Sequence, residues 1–272
     1  MDLFKIILLS IVQGITEILP ISSSGHLILF KYLLNIKSEA LTLEIFLHIG
    51  SLFAVFFYYR KEIKEILLGT IKYIFKIEPK TNKNYFKLFL LLVLSTFITG
   101  IGGLLLNSLV KNTLSNIKLL PFFFLFTSLT LFLSKKIKNN TKELTDITIK
   151  DALIIGLFQL IGIIPGISRS GITIVGCKTV KLNNYSAFKY SYLLFIPITF
   201  ASFILELSDL LTNSISLTYP PYYYLIGIAF SSLFTYFSII LIKKIIIHNK
   251  INYFSFYLIF ISLLTILCTN YL

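Results

Sequence analysis

The sequence predicts an all-α polytopic membrane protein built as an inverted-topology repeat, each half one re-entrant helical hairpin plus three transmembrane helices. Three observations predict it. The 272 residues are 56% hydrophobic and only 14% charged, with a mean hydropathy of +0.85, where a soluble domain carries roughly 25% charge. Several apolar runs reach the roughly 20 residues that cross a bilayer. Two short apolar segments, beginning near the N-terminus and just past the middle, break at proline and glycine into strongly polar elbows.

In chain order, residues 3–19 read as an apolar helix stopped by Pro20, and 25–35 as a second helix too short to span. The N-terminal run lacks a basic flank and leads straight into polar residues, so it reads as retained, not as a removable signal. Residues 43–59 are a spanning candidate. From Lys61 to about Phe75, charged and apolar residues alternate at helical spacing, which suits a helix lying at the interface. Runs 87–106 and 119–134 span, and a lysine-rich linker, 135–150, divides the chain. Residues 152–164 form a short helix stopped by Pro165-Gly166, and 169–180 a further short segment. Runs 187–206, 222–242 and 252–271 close the chain. The whole reads as one integral-membrane domain, 1–272, with repeats of about 1–140 and 141–272.

The lysines orient these runs. Residues 60–87, the linker, residues 178–189 and residues 243–250 are basic, whereas 207–221 has no Lys or Arg and 107–118 has only Lys111 and Lys118. The positive-inside rule makes the four basic stretches cytoplasmic. The formal charge of +13 therefore reads as membrane-flanking charge, and no nucleic-acid partner is expected. Counting crossings backwards from this orientation, 3–35 and 152–180 each begin and end on one side, so each dips in and returns. Cys177 and Cys268 lie far apart in apolar surroundings and imply neither a disulfide nor a metal site.

The two elbows resemble each other. Gln13 to Gly25 lies over Gln159 to Gly171 with seven identical positions, among them the Gln and the Ser-x-Ser-Gly. Short, Pro/Gly-broken segments at matching places in two inverted halves point to a site near the bilayer midplane.

The chemistry concentrates there. Gln13 and Glu17 share a helix face. Ser22, Ser23 and Ser24 open the next helix, whose positive end suits an anion, phosphate above all. His26 is suited to acid–base work near neutrality. The second elbow brings Gly166, Ser168, Arg169, Ser170, Gly171 and Thr173. Only Arg60 and Arg169 among 25 basic residues are arginine, and the planar guanidinium pairs bidentately with phosphate. Gly166 and Gly171 allow close backbone approach. Together these groups suit phosphoryl transfer. Glu17 could hold a divalent cation. A hydroxyl of the Ser22–Ser24 cluster could attack phosphorus, with His26 or Glu17 taking its proton. His48 is left between a supporting role and packing, Gln159 is expected to hydrogen-bond the tips, and His248 reads as a solvated loop residue.

Gln13-x-x-x-Glu17 followed by Pro20-x-Ser-Ser-x-Gly25-His26, with Pro165-Gly-x-Ser-Arg-Ser-Gly171-x-Thr173 further on, resembles the undecaprenyl-diphosphatase (bacitracin-resistance) family over essentially the full length. The resemblance implies a multi-pass enzyme of the bacterial cell (inner) membrane with interlocking inverted repeats, often a homodimer. It implies hydrolysis of a polyprenyl diphosphate lipid, undecaprenyl diphosphate, to the monophosphate and phosphate, which recycles the lipid carrier of cell-wall synthesis. It implies Gln13 and Glu17 as the acidic motif, with Mg2+ or Ca2+ as the divalent cation. Ser23 would be the nucleophile, and His26 an acid–base or phosphate-contacting group. Ser168, Arg169, Ser170 and Thr173 would bind diphosphate. Gln at position 13 leaves Glu17 the only carboxylate of the first motif. A lipid-phosphate transporter or flippase using the same anion pocket is the alternative, because broken helices in inverted repeats are also transporter architecture. A second lipid-phosphatase class, whose motif needs a His after the Ser-Arg pair, is rejected because Val175 stands there.

Overall fold

The computed structural model describes residues 2–36, 41–106, 110, 116–138, 140–212 and 219–271, with backbone only at 41, 42, 206, 209–212, 270 and 271. Lys111 and most of the two expected external loops lie outside the described residues.

Every regular element among the described residues is a helix, save one isolated bridge between Lys142 and Leu182. The first hairpin is α1 (Asp2–Ile18) and α2 (Ser23–Leu33). Proline at position 20 cannot continue the α1 ladder, and the Ser22 hydroxyl restarts the chain by accepting the Gly25 N–H at 3.3 Å. Helix α3 (Leu41–Tyr58) runs into α4 (Arg60–Ile74) through a 72° bend. Helices α5 (Pro79–Leu105) and α6 (Leu120–Ser134) follow. The second hairpin is α7 (Ile149–Ile161) and α8 (Arg169–Thr179), and Ser168 caps α8 on the Gly171 N–H at 3.1 Å. Helices α9 (Asn184–Thr212, with Pro197 inside), α10 (Pro221–Ile247) and α11 (Phe254–Tyr271) complete the chain.

Among the described residues five helices are long and apolar enough to cross a bilayer: α5, α6 with its 3-10 lead-in, α9, α10 and α11. The bent pair α3 and α4, which contains the expected span 43–59, makes a sixth if it is counted as one span. Phe53, Phe97, Phe122, Leu225, Phe237 and Phe260 stay exposed on these helices, as side chains facing lipid do.

Helix–helix contact relies on small residues. A Cβ on Gly14 of α1 would lie 2.6 Å from the Ser231 carbonyl of α10, and one on Gly50 of α3 would lie 2.6 Å from the Ile228 carbonyl. Backbones this close exchange side-chain hydrogen bonds: Ser231 Oγ donates to the Leu47 carbonyl at 2.7 Å and Thr235 Oγ1 to Ser51 Oγ at 3.0 Å. Helix α7 meets α5 in a similar way, with Gly156 against the Ser95 carbonyl and Ser95 Oγ donating to the Ala152 carbonyl at 2.8 Å. So α1 packs on α3 and α10, while α7 packs on α5, α8 packs on α6, and α9 touches α3, α5 and α8.

The linker is tied to the base of the second hairpin. The Lys142 N–H donates to the Lys181 carbonyl at 3.0 Å, and the Lys142 ammonium bonds both oxygens of Asp151 at 3.2 and 3.0 Å. Asp151 also closes a capping box with Thr148. Burial pushes the Asp151 carboxyl up, but the Thr148 N–H and hydroxyl and the Lys142 ammonium outweigh it and hold it below its ordinary 3.8.

Candidate active site

The two hairpin tips meet. A Cβ on Gly25 would lie 3.2 Å from the Gly166 Cα, and one on Gly171 would lie 3.1 Å from the Pro20 Cβ. Ser170 Oγ donates to the Leu19 carbonyl at 3.1 Å, and Tyr192 of α9 donates to the Ile18 carbonyl at 2.7 Å. The elbows turn differently. In the first, Ser22 itself takes a positive φ of 70°; in the second, Gly166 does, at 91°. A non-glycine residue held at such a φ is mildly strained, and such strain collects at functional sites.

Between the tips lies a cavity of about 150 Å³ whose wall includes Glu17, Ser22, Ser23, Ser24, Ser168, Arg169 and Ser170. The N-terminal ends of α2 and α8 both open on it, and both are positive dipole ends. Glu17 stands at the centre. One carboxylate oxygen accepts from the Arg169 guanidinium and the other from the Ser23 hydroxyl. Gln13 Nε2, one turn back on α1, donates to the latter oxygen at 3.0 Å. Arg169 completes its coordination by donating through Nη1 to Thr199 Oγ1 at 2.9 Å, and its Cζ lies 4.4 Å from the Phe195 ring centroid. The guanidinium therefore faces a carboxylate here, where the sequence expects phosphate: a charge this buried needs a counter-ion, and Glu17 supplies one.

The three serines differ. Ser22 Oγ is the helix cap, and Ser24 Oγ lies 3.4 Å from it. Ser23 is the one bonded to a carboxylate. Nucleophile, base and orienting groups in hydrogen-bond reach of one another are the arrangement that activates a hydroxyl.

His26 does not line the cavity. Its Nδ1 is 2.7 Å from the Ser22 carbonyl and its Nε2 is 2.8 Å from the Tyr257 hydroxyl of α11, and the ring stacks on Tyr257. Both nitrogens are used inside the protein, so the imidazole braces the elbow from behind. The imidazole on the cavity wall is His48, whose Nδ1 is 2.9 Å from Gln13 Nε2 and 3.6 Å from Glu17 Oε2. Thr173 also stays off the wall and donates to the Arg169 carbonyl at 2.7 Å. Gly166 and Gly171 serve through backbone proximity. Gln159 donates to Thr99 Oγ1 at 3.1 Å, away from the cavity.

Thr199, Ser202 and Phe203 of α9 also line the cavity, and sequence reasoning did not find them. Their signal is faint: hydroxyls just beyond Pro197 in an apolar helix. Among the described residues no group of three His, Cys, Asp or Glu side chains could hold a metal ion. Gln13 Oε1, however, is buried without a hydrogen-bond partner. It and the Glu17 carboxylate are oxygen donors of the kind a hard divalent cation takes, the rest coming from substrate phosphates.

These features define a polytopic helical membrane protein with a buried serine–carboxylate–guanidinium site at the junction of two broken hairpins. Comparison with known proteins agrees. The chain belongs to the bacitracin resistance protein BacA family, whose model matches residues 6–264. It is 43% identical to a protein of Thermosipho africanus named undecaprenyl-diphosphatase, over 95% of this chain and 97% of that one. A Halothermothrix orenii protein of the same name is 38% identical over 94% of each chain. A Bacillus thuringiensis protein named undecaprenyl-diphosphatase 2 is 31% identical over 97% of each.

Proposed function

We propose that the protein hydrolyses undecaprenyl diphosphate to undecaprenyl phosphate and phosphate, recycling the lipid carrier for peptidoglycan synthesis and conferring bacitracin resistance. The observation that carries this is the Ser23 hydroxyl bonded to Glu17, whose other oxygen pairs with Arg169 from the opposite hairpin. The diphosphate takes over the Arg169 guanidinium, lying between the N-terminal ends of α2 and α8. Glu17, relieved of its counter-ion, is free to accept the Ser23 proton. Ser23 Oγ then bonds to the terminal phosphorus as the bridging P–O bond breaks, and undecaprenyl phosphate leaves. Water attacks the phosphoserine, phosphate departs and Ser23 regains its proton. A divalent cation (Mg2+ or Ca2+) held by Glu17 and Gln13 Oε1 would neutralise phosphate charge when bound.

The inverted repeat belongs to the same proposal. Two exchanges support it. Gly25 abuts residue 166 while Gly171 abuts residue 20, and α1 packs on α10 as α7 packs on α5. Helices α2 and α8, at 11 residues each, rise only about 16 Å, roughly half a hydrocarbon core, which favours re-entrant hairpins. The site then faces outward in the bacterial inner membrane, and the protein works as a homodimer. The transporter reading finds no support: the relatives carry the name of a phosphatase.

Purified protein incubated with undecaprenyl diphosphate tests the activity. Phosphate release that disappears in Glu17→Ala and Arg169→Ala is the expected result. No release by the wild type with any divalent cation would overturn it.

A further inference from the structure

A second cavity, of about 270 Å³, opens where the α3–α4 bend meets the start of α9 and the end of α10. The reaction above makes no use of it. Arg60, Lys61, Lys189 and Lys243 line it against a single carboxylate, Glu62. Lys189 Nζ stands 3.8 Å from Glu62 Oε1, too far for a direct hydrogen bond. Lys243 Nζ lies 6.0 and 5.8 Å from the ring centroids of Tyr58 and Tyr185. The wall therefore carries an excess of positive charge.

Tyr59 makes the feature more than a charged surface. It lines the same cavity, is 2% exposed, and its hydroxyl has no hydrogen-bond partner among the described residues. A buried hydroxyl left unpaired is costly, so a ligand that accepts a hydrogen bond from it is the missing partner. Phe56 and Phe57, exposed on α3, precede the cavity-lining Tyr58 in the chain, and Arg60 Cζ lies 4.3 Å from the Phe57 ring centroid, which gives an apolar surface suited to acyl chains. The basic stretches contributing to it are those the positive-inside rule puts in the cytoplasm, where anionic lipid headgroups attract juxtamembrane cations.

We infer that this cavity seats the phosphate of an anionic phospholipid of the cytoplasmic leaflet. Lys189 and Lys243 hold the phosphate, Tyr59 donates to it, and the acyl chains run along Phe56 and Phe57. The inference is independent of the catalytic reading.

Full-length protein reconstituted in phosphatidylcholine vesicles, with and without phosphatidylglycerol, tests it by native mass spectrometry and thermal unfolding. Wild type is expected to carry a phosphatidylglycerol adduct and to melt several degrees higher in its presence. Lys189→Ala and Lys243→Ala should each weaken retention roughly five-fold, the effect of one cation near an anionic surface. Tyr59→Phe should lose retention yet melt no lower than wild type in phosphatidylcholine alone. Equal retention by wild type and the double lysine variant would overturn the inference. So would protection by inorganic phosphate equal to that by phosphatidylglycerol, which marks a free-anion site. A Tyr59→Phe protein already destabilised in phosphatidylcholine alone would do so too, since the hydroxyl would then have a protein partner.

Discussion

Arg169 and Glu17, 152 residues apart in the chain, form an ion pair across the junction of the two hairpins. Each sits at a helix end whose dipole disfavours it: the carboxylate near the C-terminus of α1, the guanidinium at the N-terminus of α8. Neither is placed there for the sake of its own helix, and the pair joins the two hairpins beside the Ser170–Leu19 hydrogen bond.

Removing one partner leaves a buried charge alone. Arg169→Ala is expected to destabilise the protein by about 3–5 kcal/mol and to abolish phosphate release. Glu17→Gln combined with Arg169→Met should recover much of that stability and none of the activity. Thermal unfolding in detergent, read beside phosphate release, separates the two effects. A double variant as unstable as Arg169→Ala would mean that the pair is not the stabilising element.

Ser22 and Ser23 should part company on substitution. Ser23→Ala is expected to lower kcat by roughly 10²–10⁴-fold with little change in stability. Ser22→Ala loses the α2 cap and should cost about 1 kcal/mol of stability while retaining turnover. Acid-quenched enzyme incubated with substrate labelled in the terminal phosphate should carry label on Ser23. Label on Ser22, or full activity in Ser23→Ala, would contradict the assignment.

The two imidazoles should also differ. His48 touches the cavity, so His48→Gln is expected to reshape the pH–rate profile. His26 braces α2 against Tyr257, so Tyr257→Phe should cost about 1 kcal/mol of stability and leave the shape of the profile unchanged. A profile altered by Tyr257→Phe would put His26 into the reaction after all.

Asp151 gives a pH dependence whose sign is definite. Its carboxyl is held below 3.8 in the folded protein. The stability it adds is therefore present at any pH above about 4 and is lost as pH falls through its depressed folded value. Asp151→Asn should lower the melting temperature at pH 7, and the gap to wild type should close only below about pH 4. A gap that already closes near pH 6 would assign the effect to another group.

Much of the hairpin geometry was legible because it is local. Pro20 and the Pro165-Gly166 pair stop helices by removing donors, serine caps restart them, and the expected 3–19, 25–35, 152–164 and 169–180 lie within three residues of α1, α2, α7 and α8 at every boundary. The meeting of Glu17 with Arg169 was legible through the repeated Gln and Ser-x-Ser-Gly. What could not be read depends on distant partners. The position of the His26 ring depends on Tyr257, 231 residues on, whose hydroxyl lies 2.8 Å from its Nε2. Ranking three adjacent serines depends on which rotamer faces a carboxylate six residues back. Thr199 and Ser202 join the cavity only because α9 crosses both hairpins, and no spacing within α9 reports that. The 43–59 run and the helix read from Lys61 to about Phe75 are found as α3 and α4, and the 72° bend between them is what local spacing did not give.

Glu17 and Arg169 are the charged members of the cavity wall, and they cancel one another. Between turnovers the pair thus leaves no net formal charge between them, and the pull that remains on an anion is that of the positive helix ends of α2 and α8. In the proposed reaction that balance is broken only by a diphosphate, which brings its own negative charge to the guanidinium.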